Sequence, residues 1–300
     1  MRSMRCWRWT AGTSSAPARA YLRAYTYQRL ALLYLPVTDS SYQSWWQQAV
    51  RCFRDGAALL DTPVDPVTIP FDGTVLPGYF LKSDDSPGRH RTLIMVGGGD
   101  TFVEDLYFYI GPAAVKRGYQ VLIVDLPGQG ELPFAGLPMR ADAEAPMGAV
   151  VDYLLDRPDV DPDTLAAFGV SGGGYFVPRA ATRDPRIKAC VAASAIPDFR
   201  EYTTQGDPRA ERYARRLGSS LYQSILALMG RRLRARLILV ETYQWRWGGG
   251  HRNRMAGDVA GVHVRPGTDQ LPAAAAHRGV RVRHGPGQPG AAAPLPRPGA

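Results

Sequence analysis

The period of apolar and polar positions shifts several times along the chain, and each shift predicts a different kind of element. Residues 18–60 repeat large apolar side chains at helical spacing, first Tyr21, Tyr25, Leu30, Leu33 and Tyr34. The next segment, SSYQSWWQQAVRCFRDGAALL, opens on serines suited to capping a helix. An aromatic stripe of this kind predicts core before it predicts a pocket lining. From Val67 the period falls to two: VTIPFDGTVLPGYFLKS holds two β-rich runs around Asp72-Gly73, a tight-hairpin signal. TLIMVGGGD is a short apolar run ending in glycines, GPAAVKRG reads as a helix, and YQVLIVDLPGQGE as a buried strand ending in a Gly-Pro turn. Residues 141–156 read as helix, TLAAFGVSGGG as strand and turn, and IKACVAAS, residues 187–194, as the strand after it.

Strands alternating with helices at this spacing predict an α/β fold, with a doubly wound, mostly parallel sheet and the hairpin at one edge. From residue 199 to 247 the pattern turns helical and aromatic again (REYTTQGDPRAERYARRLG, LYQSILALMGRRLRARL), as expected of a helical cap over the core. At about residue 248 the character breaks. Residues 251–300 contain no Phe, Tyr, Trp, Ile, Lys or Glu, and fifteen of the fifty are Gly or Pro, so disorder is the expected state. The reading thus divides the chain into a flexible N-terminus (1–17), a helical region (18–62), an α/β core (63–198), a helical cap (199–248) and an Ala/Gly/Pro/Arg-rich tail (249–300).

Composition changes this picture in three places. The formal net charge is +9, but residues 251–300 alone hold seven Arg against two Asp, so the body is only mildly basic. With no basic stripe along it, nucleic acid is not an expected partner. Thirty-three Arg against three Lys (Lys82, Lys116, Lys188) is the skew of GC-rich codon usage. Cys6, Cys52 and Cys190 are too widely spaced for a disulfide framework or a zinc site, which leaves buried free thiols and no expected metal. No apolar run approaches a membrane span, and MRSMRCWRWTAGTSSAPARA lacks the apolar core of a leader, so the expectation is a cytoplasmic protein without membrane contact.

The candidate chemistry lies in AAFGVSGGGYFVPRAA. Gly169-Val170-Ser171-Gly172-Gly173 fits the G-x-S-x-G pattern, and its context of strand, turn and helix is the one that pattern requires. A serine on so tight a turn needs neighbours without Cβ bulk, and the N–H of Gly172 would then face a developing oxyanion. MVGGGDTF, at the end of an earlier strand, supplies Gly98 and Gly99 as the other oxyanion donors. Neither glycine run satisfies a phosphate-binding pattern, and no cofactor is called for.

Taken together, IPFDGTVLPGYFL, VGGGDTFVEDLYF, GYQVLIVDLPGQGE, FGVSGGGYFVPRAA and the aromatic WRWG at 245–248 resemble the α/β-hydrolase superfamily. Within it they are most similar to the branch of FrsA-like esterases and 2,6-dihydroxypseudooxynicotine hydrolase-like proteins, over about residues 18–248. The resemblance implies a Ser–acid–His hydrolase under a helical cap, with Ser171 as nucleophile. The substrate would be a small ester, amide or ketone-adjacent carbon–carbon bond. It also implies that the acid and the histidine follow the cap. There the chain departs from the family: His90 precedes the third strand on a polar loop expected at the surface, and His251, His263, His277 and His284 all fall in the tail. Asp269 as acid, with His284 or His277 as base, is the assignment that the tail permits. A frameshift near Gly248 would account for the whole break, since Met255-Ala256, encoded ATG-GCN, reads Trp when shifted by one base. The alternative to an active hydrolase is a catalytically impaired or truncated protein of the same fold. A homodimer through the N-terminal aromatic helices is the expected assembly if there is one.

Overall fold

The computed structural model describes residues 15–197, except 85 and 141, together with Ile238, Thr242, Tyr243, Trp245 and Arg246. Most of the expected cap and all of the expected tail lie outside the described residues. Helix α1 spans Ala16–Leu32 and begins where its sequence says it should: the Ser15 side chain accepts a bond from Ala18 N at 3.3 Å, and a proline occupies the first turn. Helix α2, Tyr42–Ala57, runs back alongside it.

Strands β1 (Val64–Phe71) and β2 (Thr74–Leu81) form the expected hairpin, in the register Phe71↔Thr74. Its two-residue turn puts Asp72 at φ 50° and Gly73 at φ 75°, the backbone hand that matches strand twist. Then follow β3 (Thr92–Val96), two short helices α3 (Val103–Tyr107) and α4 (Gly111–Val115), and β4 (Gln120–Val124). Helix α5 (Glu144–Leu155) leads to β5 (Ala166–Gly169), and α6 (Gly173–Arg183) to β6 (Ala189–Ala192). The sheet order is β1-β2-β4-β3-β5-β6, antiparallel at the hairpin and parallel from β4 to β6.

Both faces of the sheet are covered, and β3 and β4 show how. Their side chains alternate: Ile94, Val96, Leu122 and Val124 join the core formed with α5 and α6. Met95, Val121 and Ile123 join the core formed with the four helices α1 to α4. Phe53 of α2 is the hub of the second core, with ring centroids 5.1–6.2 Å from Tyr79, Tyr25, Tyr107 and Phe108.

The aromatic stripe read from α1 is corrected in detail. Its inward line is Ala18, Leu22, Tyr25, Arg29 and Leu32, whereas Tyr21, Leu30, Leu33 and Tyr34 are exposed. The buried line follows the helical period strictly; counting aromatics selected the wrong flank. Cys52 and Cys190 are free thiols, each half-buried rather than buried, and Cys6 lies outside the described residues.

The connections decide where a site can form. From β3 the chain passes through α3 and α4 to β4 on one side, then returns through α5 to β5 on the other side of β3. The carboxyl end of β3 is therefore the point where the winding reverses, and a crevice opens there. Among the described residues no helix is long and apolar enough to cross a membrane.

Replacing Phe53 with Ala should destabilise the fold by about 3–5 kcal/mol, because the ring is fully buried among four other aromatic side chains. Urea unfolding followed by tryptophan fluorescence measures it. A change near zero would mean that α1 and α2 do not unfold together with the sheet.

Candidate active site

Two turns meet at that crevice. One follows β5: Val170 N still bonds Val96 O at 3.2 Å in the parallel ladder, and Ser171 then takes φ +55°. Such a conformation costs a non-glycine residue about 1–3 kcal/mol. The chain re-enters regular structure at once, with Gly174 N bonded to Ser171 O at 2.9 Å and α6 starting from Gly172. The result is a serine half-exposed at the carboxyl edge of the sheet, above buried glycines at the start of a helix.

The other turn, Gly97-Gly98-Gly99, follows β3. A Cβ on Gly98 would lie 2.5 Å from both Cβ and Oγ of Ser171, so only glycine lets the two backbones approach this closely. A Cβ on Gly172 would in turn lie 3.4 Å from Gly99 N. Of the two donors expected on this turn, Gly98 is committed elsewhere, because its N–H donates to Thr101 Oγ1. The N–H groups of Gly99 and Gly172 have no hydrogen-bond partner among the described residues. Tyr243, from the cap segment, sits on the outer side of Gly99, where a Cβ would come within 2.5 Å of its ring.

Helix α1 braces the segment that follows. Tyr25 Oη donates to Asp105 Oδ1 at 2.6 Å, and Arg29 Nε donates to Asp105 Oδ2 at 2.8 Å. Asp105 Oδ2 also accepts from Phe102 N at 3.0 Å, which caps α3, while Arg29 Nη2 donates to the carbonyl of Asp100. The Arg29 guanidinium stacks 4.2 Å above the Phe102 ring. Burial first, then the neighbouring Asp105 and Glu104 carboxylates, push the Tyr25 hydroxyl up, so it stays a neutral donor. A cleft of about 430 Å3 opens between α1 and this segment, lined by Arg29, Leu33, Asp100, Thr101 and Tyr109 among others. Ser171 does not line it.

Beneath the turn lie two buried carboxyls. Glu104 accepts from Tyr79 Oη at 2.9 Å, and Tyr79 Oη accepts from Arg54 Nε at 3.2 Å. Burial, as the largest effect, pushes the Glu104 carboxyl up to about 7. Asp125, at the end of β4, accepts from Val103 N at 3.1 Å through Oδ2, and burial raises it well above the usual carboxylate range. Arg246 is equally buried: Nη1 donates to Gly128 O at 3.1 Å, and its own carbonyl accepts from Met139 N at 2.8 Å. Trp245 beside it packs on Phe134 with centroids 4.4 Å apart, so Trp245 and Arg246 are both pinned to the core.

The remaining sequence candidates divide plainly. His90 is half-buried rather than exposed. It forms a parallel bridge to Val160, and its Nε2 lies 3.1 Å from Ser86 O, at the amino end of β3 and so at the opposite end of the sheet from Ser171. Asp269, His284 and His277 lie outside the described residues. No group of three or more His, Cys, Asp or Glu among the described residues is placed to hold a metal ion. Sequence reading missed Thr101, the buried pair Glu104–Asp125, Gln129 and Arg246. Only YQVLIVDLPGQGE hinted at two of these, as polar residues interrupting a buried run.

Comparison with known proteins agrees with the fold. A profile of the Prolyl oligopeptidase family matches residues 108–224. The Alpha/beta hydrolase ucsC of Acremonium sp is 35% identical over 225 residues, covering 66% of this chain and 45% of its own length. The 20-hydroxy-prefusarin hydrolase FUS2 of Gibberella moniliformis is 36% identical over 208 residues, covering 66% of this chain and 49% of its own length. The chain thus spans about half the length of these curated relatives. Among solved structures, the 2,6-dihydroxy-pseudo-oxynicotine hydrolase superposes with a TM-score of 0.57 at 24% identity, covering 75% of this chain and 60% of that one.

Raised carboxyl pKa values give stability a definite pH dependence. Glu104 titrates near 7 in the folded chain and near the ordinary 4.5 when unfolded, so the folded state binds the extra proton between those values. Stability should therefore fall by up to about 3 kcal/mol between pH 4.5 and 7, with Asp125 adding slope of the same sign. Urea midpoints measured across this range check it. Glu104→Gln should flatten the curve in part, and an unchanged slope would refute the assignment.

Proposed function

Given a chain that belongs to the α/β-hydrolase superfamily, we propose that it is a serine hydrolase whose nucleophile is Ser171. The observation that carries this reading is the pairing of φ +55° at Ser171 with two N–H groups, Gly99 and Gly172, that have no partner among the described residues, on the turns that touch it. Strain at a single side chain, maintained where two backbone donors converge, fits attack on a carbonyl better than a structural turn.

In this mechanism Ser171 Oγ bonds to the carbonyl carbon of the substrate while its proton passes to a base. The negative oxygen that results accepts from Gly99 N–H and Gly172 N–H. Collapse expels the leaving group, which takes the proton from the base, and leaves an acyl-enzyme. Water then repeats the sequence, returning the proton to Ser171 and releasing the acid. Asp269 and His284, with His277 as the other candidate base, are the groups assigned to orient and accept that proton. The substrate class is a small ester, amide or ketone-adjacent carbon–carbon bond. The name of FUS2, a hydrolase of 20-hydroxy-prefusarin, supports a small-molecule substrate over a polymer. A cytoplasmic setting belongs to the same proposal. The exposed Tyr27 and Leu30 of α1, with Leu33 and Tyr34 just past its end, support a homodimer.

A second reading, a catalytically impaired protein of this fold, is favoured by one observation. Every histidine C-terminal to Ser171 falls in residues 251–300, whose composition does not suit a packed strand or helix. A shift of frame near Gly248 would produce that composition, and sequencing the gene across codons 245–255 tests it.

A fluorophosphonate probe separates the two readings. Wild-type protein should be labelled and should hydrolyse short p-nitrophenyl esters, and Ser171→Ala should abolish labelling and lower kcat by about 10^3-fold or more. Labelling that survives Ser171→Ala would overturn the nucleophile assignment. Folded wild-type protein that neither labels nor turns over would support the impaired form.

A further inference from the structure

Resting on that reading, we propose that Gln129 is the positioning residue that aims the Gly99 N–H at the oxyanion. Gln129 is fully buried in the turn after β4, flanked by Gly128 at φ +86° and Gly130 at φ +51°. Neither flank tolerates a side chain: a Cβ on Gly130 would meet Asp125 Oδ2 at 1.9 Å. Both N–H donors of the Gln129 amide are used, and its oxygen is anchored. Oε1 accepts from Leu126 N at 2.8 Å, which fixes which end of the amide points outward. Nε2 then donates to Gly97 O at 2.7 Å and to Gly98 O at 2.9 Å.

Planarity turns those two contacts into an aiming device. In a trans peptide the carbonyl of one residue and the N–H of the next point in opposite directions, and no described peptide bond is cis. Holding Gly97 O toward Gln129 points Gly98 N–H away, and there it meets Thr101 Oγ1. Holding Gly98 O toward Gln129 points Gly99 N–H away likewise, and that N–H, beside Gly172 and Ser171, has no partner among the described residues. Glycines have no side-chain preference to hold this orientation, and a flipped Gly98–Gly99 peptide would present a carbonyl oxygen where the donor is needed. Gln129 is the only described side chain that bonds both carbonyls. It acts through the backbone, about thirty residues away along the chain, and need not touch substrate.

Gln129→Met keeps the length and removes the donors. Gln129→Glu keeps the acceptor for Leu126 N but sets a carboxylate oxygen against two carbonyls. Both variants should lower kcat for p-nitrophenyl esters by roughly 10- to 100-fold with KM within twofold, short of the loss expected when a donor is removed outright. The Ki of a trifluoromethyl ketone that forms the tetrahedral adduct should rise by the same factor as kcat falls. Circular dichroism and a urea midpoint identify any variant that fails to fold, and the other variant then carries the test. A folded variant with unchanged kcat, or one in which KM rises instead of kcat falling, overturns the role of Gln129 while leaving Ser171 as nucleophile. Turnover that persists in Ser171→Ala, or wild-type protein that never reacts, overturns both.

Discussion

Two backbones in contact at the carboxyl ends of β3 and β5 set the terms for the rest of this molecule. Gly98 and Ser171 approach so closely that one added methyl group would collide, and parallel pairing of β3 with β5 is what brings them there. Everything nearby serves that approach or is constrained by it. The serine takes a left-handed backbone, glycines follow it and face it across the gap, and the winding of the sheet reverses at β3.

Such a contact is strained and poor in side chains, so its stiffness has to come from outside. On one flank α1 reaches in with Tyr25 and Arg29, whose bonds to Asp105 and to the Asp100 carbonyl hold the segment after the glycine turn. On the other, the turn after β4 inserts Gln129 beneath the same glycines. These braces are polar and nearly dry, which strengthens each hydrogen bond and makes each partner costly to remove. The buried carboxyls Glu104 and Asp125 are the cost of the arrangement. Desolvation pushes their pKa values up, so part of the stability of the fold depends on their holding protons.

Kinship and geometry converge without meeting everywhere. The curated relatives are about twice as long as the stretch they share with this chain, and the superposed hydrolase shares the fold at 24% identity. The turn that carries Ser171 lies inside the stretch matched by the Prolyl oligopeptidase family, and the glycine turn after β3 precedes it. The acid and the base assigned to them, Asp269 and His284, lie beyond the described residues.

The sequence by itself determined whatever is local. Period-two runs predicted the hairpin strands and short apolar runs the parallel ones, Asp72-Gly73 the hairpin turn, and Gly169-Val170-Ser171-Gly172-Gly173 the strand–turn–helix around the serine, because each of these is decided by a few neighbouring residues. The order of elements was enough for an α/β, doubly wound reading. What lay between distant segments was illegible. Nothing in VEDLYF or in the stripe of α1 says that Arg29 and Tyr25 face Asp105 while Tyr21 and Tyr34 face solvent. Nothing in GGGD says that Gly98 N–H is spent on Thr101 and Gly99 N–H is not. The direction of a peptide group depends on who binds its oxygen, and here that partner is Gln129, about thirty positions further on. Only the tertiary structure places it there, because a hydrogen bond between remote segments leaves no period in the chain.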